Sequence, residues 1–287
     1  MLRKPEWLKI KLPPVGASAR TTGKVVQHGL HTVCQEALCP NRAECFSAGT
    51  ASFLILGNLC TRGCAFCNIS LDTPLPPDDQ EPKRLAEAVK AMRLKYVVIT
   101  SVTRDDLEDG GAEHFSRCVT EIKRVSPETA VELLTPDFKA CQEKAVSVLA
   151  ELPLAVFNHN IETVPRLYSE VRKGADFRRS LSLLKQFSVA RPDVPTKSGL
   201  MLGVGETDDE VMEVLHHLRE QGCVMLTIGQ YLAPSRLHWP VSRYVSPDAF
   251  AEWKTKALEM GFAQVTSGPL VRSSYHAAES HEAVDTL

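Results

Sequence analysis

With 287 residues, 44 % of them hydrophobic and 24 % charged, the chain has ordinary globular composition, and α/β barrels of this size commonly form one domain. A net charge of −2 argues against a general nucleic-acid binder, and no apolar run approaches the ~20 residues needed to cross a bilayer. The N-terminus, Met1–Trp7, lacks the apolar core and cleavage site of a signal peptide, and nine cysteines favour metal work in a reducing compartment over disulfides; a cytoplasmic protein is expected.

Residues 1–20 mix basic and apolar residues around Pro13-Pro14 and read as an extended arm, with Trp7, Leu8, Ile10 and Leu12 available for packing. A short helix is predicted from about Thr21, and another around Cys34–Leu38 that ends before Pro40, because a residue preceding proline avoids the helical region. The apolar run Ala51–Gly57 reads as a buried strand. Turn-rich residues follow at Pro74, Pro76, Pro77 and Asp78-Asp79. Helices are then predicted over Pro82–Met92, Ala112–Lys123, Lys139–Leu149, Ser180–Phe187 and Asp208–Glu220. Strands are predicted over Tyr96–Thr100, Ala130–Leu134, Leu154–Phe157, Thr196–Leu202 and Met225–Ile228. Strands alternating with helices imply parallel pairing with right-handed crossovers, and six strands are two short of a closed eight-stranded barrel. The fold class is therefore α/β, a partial (β/α)6 barrel.

Six of the nine cysteines fall within residues 34–67, in two triplets. Cys60, Cys64 and Cys67 directly follow the first strand, with Phe66 just before the last; Cys34, Cys39 and Cys45 precede it. Thiolates are the usual ligands of iron–sulfur clusters, and three thiolates on a four-iron cubane leave one iron open. An open position is what separates a catalytic metal site from a structural one. Two triplets, each one ligand short, suggest two clusters; zinc sites shared between them are the competing reading. Cys118, Cys141 and Cys223 are isolated, and buried, inert thiols are expected there.

Polar residues gather where predicted strands end, at Thr100–Asp106, Asn158–Glu162, Gly203–Glu206 and Gly229–Tyr231, as a ligand site on the C-terminal rim of a barrel requires. Taken singly, Thr207 could cap a helix and Asn158 and Asn160 could be turn residues. Glycine in Gly199–Gly205 would let backbone approach a flat ring closely.

The spacing Cys60-x-x-x-Cys64-x-x-Cys67 resembles that of the radical S-adenosylmethionine (SAM) superfamily. With the second triplet, Lys95–Val102, Phe157–Pro165, Lys197–Met201 and Ser267–Tyr275, the chain resembles the lipoyl synthase family from about residue 30 to residue 276. The resemblance implies sulfur insertion at C6 and C8 of an octanoyl group attached to a lysine of a carrier, either the lipoyl domain of a 2-oxoacid dehydrogenase or the glycine cleavage H protein. It implies SAM and two [4Fe–4S] clusters. Cys60, Cys64 and Cys67 would hold the cluster that cleaves SAM. Cys34, Cys39 and Cys45, with Ser273 of Arg272-Ser273-Ser274-Tyr275 as fourth ligand, would hold an auxiliary sulfur-donating one. Phe66, Ser101, Asn158, Asn160, Glu162, Gly203 and Tyr231 are the expected SAM contacts. An electron donor such as ferredoxin or flavodoxin and cluster-assembly proteins are the further partners, with no nucleic acid and no membrane.

On this reading residues 1–50 form an N-terminal extension, 51–235 the partial barrel and 236–287 a C-terminal extension, the extensions capping the barrel. Ala65 stands where a basic residue is expected, Thr103 where aspartate is, and Trp239 where a smaller apolar residue is. A biotin-forming enzyme would lack the Cys34 triplet, and a tRNA methylthio-transferring enzyme would need an RNA-binding domain. A zinc scaffold without catalysis is the alternative from another class.

Overall fold

The computed structural model describes residues 3–10, 16, 18–47 and 51–285; Leu12 and Pro13-Pro14 of the expected arm lie outside them. The chain divides into two compact units, one of residues 10–62 and 68–155, the other of residues 1–9, 63–67 and 156–287.

The first unit contains helices α1 (Ala19–Gln27), α2 (Val33–Glu36), α3 (Arg42–Ser47), α4 (Glu81–Met92), α5 (Ala112–Val125) and α6 (Gln142–Ala150). Its strands are β1 (His31–Thr32), β2 (Ser52–Ile55), β3 (Leu59–Cys60), β4 (Ser70–Leu71), β5 (Tyr96–Ser101) and β6 (Ala130–Leu134). β2, β5 and β6 pair in parallel in that order, with Phe53 beside Ile99 and Ile99 beside Leu133. Strands covered on both faces are near-continuously apolar, and every residue of β2 is buried. β1, which was not expected, lies antiparallel along the outer edge of β2. β3 and β4 make a separate parallel pair.

Two predicted boundaries move for local reasons. The strand expected over Ala51–Gly57 stops at Ile55 because Leu56 is left-handed, at φ 65°, a region non-glycine residues rarely enter. α4 begins one residue before Pro82, which occupies the first turn, where a missing N–H costs nothing.

The second unit contains β7 (Val156–Asn158), α7 (Tyr168–Val171), α8 (Phe177–Ala190), β8 (Thr196–Leu202), α9 (Asp208–Glu220) and β9 (Met225–Gln230). α10 (Pro247–Glu259), β10 (Gln264–Gly268) and α11 (Ala277–Asp285) follow. The four strands are all parallel, in chain order. Thr207 caps α9 in a reciprocal capping box with Glu210, so the capping role considered for Thr207 is the one it has. Asp176 caps α8 and Ser246 caps α10. Val211, Val214, Leu215 and Leu218 give α9 an apolar face, buried with Leu200, Leu202, Leu226 and Ile228 of the sheet.

All six expected strands are present. Within residues 236–287, α10 and β10 add a further helix and parallel strand, which were not expected. Gln264–Gly268 contains one buried apolar residue, Val265, so no periodic signal marks it; its pairing with β9 makes it a strand.

Candidate active site

Cys60 ends β3, and its thiol accepts the N–H of Arg62 at 3.4 Å. The two residues after it are tied to the segment following β5. Thr61 donates its N–H and its hydroxyl to the Thr103 carbonyl (3.1 and 3.0 Å), and its oxygen accepts the Asp105 N–H (3.1 Å). Arg62 grips Asp105 with both arms of its guanidinium, at 2.6 and 2.7 Å, and lies 2.8 Å from Asp137, which follows β6. Burial alone would lower the Arg62 guanidinium; the two carboxylates outweigh it and hold it well above its ordinary value. Nothing in the linear sequence marks Arg62, Asp105 and Asp137 as a set, beyond Arg62 lying inside the cysteine triplet.

The rest of the triplet belongs to the second unit. Cys67 donates its N–H to the Cys64 carbonyl (3.1 Å), closing a tight turn, and both cysteines are half-buried. Ala65 donates its N–H to the Val171 carbonyl (2.9 Å) and accepts the Trp239 N–H (2.8 Å). Phe66 packs on the apolar core of β8, β9 and α9.

The other triplet lies in the first unit. Cys34 is buried on α2, whose N-terminus Thr32 caps; Cys39 follows in a turn, its N–H bonded to the Cys34 carbonyl (3.1 Å); and Cys45 lies on α3. Burial pushes the Cys34 thiol up, hydrogen bonds from Ser52 oppose this, and the nearby Cys39 thiol adds to it. The N–H bond that the Cys60 sulfur accepts is of the kind a ligating thiolate takes, which fits the chemistry of iron–sulfur ligation.

Ser273, Asn158, Asn160 and Glu162, expected at the site from separate stretches, meet in the second unit. Asn158 donates to the Ser273 hydroxyl (3.0 Å), Ser273 donates to Asn160 Oδ1 (2.9 Å), and Asn160 donates to Glu162 Oε1 (3.0 Å). Gly229 makes room for this: a Cβ there would collide with the Val271 carbonyl, so only glycine lets the backbone at Val271 come so close to β9. Glu162 is itself left-handed at φ 65°, between bonds to Gly199 and Met201. Burial pushes its carboxyl above the usual range, against the pull of Arg172, Asn160 and Arg272. Arg172, missed in the sequence, also donates to Tyr168 and Ser180.

In the first unit Ser101 ends β5 with a buried hydroxyl that has no partner among the described residues, a group suited to a ligand. Gly203 and Tyr231 have internal uses. Glu206 folds back to accept the N–H groups of Gly203, Val204 and Gly205 at 2.8 to 3.0 Å, and the Gly203 carbonyl accepts from Ser242. The Tyr231 hydroxyl donates to the Trp239 carbonyl (2.7 Å), and burial pushes its pKa up to about 12. Cys118 and Cys223 are buried as expected, whereas Cys141 is half-buried ahead of α6.

Residues 54–218 match the radical SAM superfamily. Streptococcus suis SuiB bound to precursor peptide SuiA is similar in structure, with TM-score 0.59 and 12 % identity, covering 87 % of this chain and 52 % of that one. This chain thus spans about half the length of SuiB. Methylornithine synthase PylB is similar with TM-score 0.52 and 13 % identity, covering 91 % of this chain and 80 % of that one. These likenesses show the fold, an α/β partial barrel with a mostly parallel sheet. The match over residues 54–218 places the protein in the radical SAM superfamily.

Lipoyl synthases are similar over nearly the whole chain. That of Glaesserella parasuis is 55 % identical over 278 residues, and that of Escherichia coli O1:K1 is 55 % identical over 280; each alignment covers 96 % of this chain and 87 % of the relative. The chain belongs to the lipoyl synthase family.

Proposed function

We propose that this enzyme inserts sulfur at C6 and C8 of an octanoyl group carried on a lysine of a protein, forming the lipoyl cofactor. The reading is supported above all by 55 % identity over 96 % of the chain to lipoyl synthases, in a sequence that carries both cysteine triplets and Ser273. An unactivated aliphatic C–H bond has no usable acidity, so acid–base residues cannot reach it and cofactors must carry the hard steps. A [4Fe–4S] cluster on Cys60, Cys64 and Cys67 would supply the electron that cleaves SAM to a 5′-deoxyadenosyl radical, and a second, on Cys34, Cys39, Cys45 and Ser273, would supply sulfur.

The chain's own residues bind and orient. Arg62 and Thr61 fix the backbone after Cys60 through Asp105, Asp137 and Thr103. Phe66, Ser101, Asn158, Asn160, Glu162, Gly203 and Tyr231 are assigned to SAM. Residues 1–50 supply the auxiliary cysteines, 51–235 the SAM site and 236–287 the serine ligand. The substrate is an octanoylated lipoyl domain or glycine cleavage H protein, with ferredoxin or flavodoxin as electron donor and cluster-assembly proteins rebuilding the sulfur source. The proposed place of work is the cytoplasm. No helix among the described residues is long and apolar enough to cross a membrane.

Anaerobically reconstituted protein, given SAM, a reductant and an octanoyl-lysine peptide, tests this. Cys64→Ala should form no 5′-deoxyadenosine. Cys39→Ala should form it and release no lipoyl product; normal lipoyl product from Cys39→Ala would overturn the division of roles.

A further inference from the structure

The stretch 231–245, between β9 and α10, has no helix or strand, yet its polar groups are bonded closely to its own unit. Ser242 donates to the Gly203 carbonyl (2.8 Å), the Gln230 amide donates to the Arg243 carbonyl (3.0 Å), and Val245 donates its N–H to Gln230 Oε1 (2.8 Å). Trp239 lies at its centre. The Trp239 indole N–H donates to the Val204 carbonyl (2.8 Å), its carbonyl accepts the buried Tyr231 hydroxyl (2.7 Å), and its ring packs on the core that also receives Phe66. Its one remaining polar group, the backbone N–H, donates to the Ala65 carbonyl at 2.8 Å, inside the Cys64–Cys67 turn.

We propose that Trp239 is a positioning residue for the SAM-cleaving centre, a strap that holds the Cys64–Cys67 turn in place. It touches none of the cysteine sulfurs in the bonds described, and acts through Ala65. Val171 takes the Ala65 N–H and Trp239 serves the Ala65 carbonyl, so the turn is held from two directions by elements more than a hundred residues downstream in sequence. The side chain is needed because a backbone N–H in an irregular segment stays where it is only if something anchors the segment. The indole bond to Val204, the packing of the half-buried ring on the core and the Tyr231 hydroxyl are those anchors. A smaller apolar residue would retain the N–H and lose the indole bond. The proposal rests on the family reading only for what the turn holds; the restraint itself can be measured without any cluster.

Two measurements test it. Hydrogen exchange on cluster-free protein should show the peptide spanning residues 63–67 exchanging about five- to tenfold faster in Trp239→Ala, the scale of one or two lost bonds, with α4 unchanged. Trp239→Phe, which keeps a ring and loses the indole donor, should fall between. In the background Cys34→Ala/Cys39→Ala/Cys45→Ala, which retains only the SAM-type triplet, a ferrous chelator should strip iron severalfold faster from Trp239→Ala. Tyr231→Phe removes one hydroxyl from the anchor and should move both readouts the same way, which keeps the test open if Trp239→Ala does not fold. Exchange over 63–67 and chelation within twofold of the parent, in a folded Trp239 or Tyr231 variant, overturns the proposal. Faster exchange in Trp239→Ala, with no lipoyl product from the unsubstituted protein, would instead leave the strap intact and count against the enzymatic reading.

Discussion

Ser273 and Asn160, 113 residues apart in the chain, are joined by a 2.9 Å hydrogen bond in which the serine hydroxyl is donor. The same hydroxyl accepts from Asn158, so its orientation is set from both sides. In the proposed ligand role its oxygen would hold iron less firmly than a thiolate, which suits a ligand that must be exchanged. Ser273→Ala should keep reductive SAM cleavage and lose most sulfur insertion. Ser273→Cys should bind the auxiliary cluster at least as well and stall. Asn160→Ala removes both the acceptor of the serine hydroxyl and a group assigned to SAM, so it should lower 5′-deoxyadenosine and lipoyl formation together, by about tenfold or more. Counting 5′-deoxyadenosine against lipoyl product in each variant separates these outcomes.

Arg62 is buried against Asp105 and Asp137, and the Asp137 carboxylate is itself inaccessible. Removing the guanidinium leaves buried charge uncompensated, which costs about 3–5 kcal/mol in comparable cases. Arg62→Met should therefore lower stability by an amount of that order in urea titration of the cluster-free protein, far more than Arg166→Met at the exposed pair with Glu210. Equal, small effects at the two sites would show that the Arg62 bridge does not hold the loop.

Leu56 adopts its left-handed backbone with its N–H donated to Glu81 Oε2 (2.9 Å), an oxygen that lies 2.7 Å from His114 Nε2. This turn links β2 to the strand that ends in Cys60. Glu81→Ala strands the Leu56 N–H and the imidazole in a buried site, at a cost of about 1–3 kcal/mol for each unsatisfied group. Glu81→Gln keeps an acceptor and should lose less. Thermal unfolding of the two variants should rank them in that order.

Cys223 is buried, and burial pushes its thiol up to about 12; Cys118 is raised for the same reason. Thiolate is the reactive form, so both should resist iodoacetamide at pH 8 in native protein and label on unfolding. The sign for stability follows from the raised native pKa. The contribution is present in full below the ordinary thiol pKa and is lost as pH rises from there through about 12, because only the unfolded chain ionises readily. Cys223→Ala should therefore flatten the alkaline fall of stability. Unchanged slopes would mean the thiol titrates normally.

Much of this enzyme was legible in its sequence because the relevant signals are local. The cysteine triplets are set by spacing along a few residues, and strands such as β2 and β5 carry apolar runs because both faces are covered. The capping box of Thr207 and Glu210 also lies within one turn. What tertiary structure decided is where separated polar groups find partners. Arg62 meets Asp105 and Asp137, Ser273 meets Asn158 and Asn160, and β10 becomes a strand only beside β9. Glu206 shows the limit most plainly. Its stretch reads as an open glycine loop, yet its carboxylate takes up three of that loop's own N–H groups, because a buried amide must be paired and the nearest acceptor was its own neighbour.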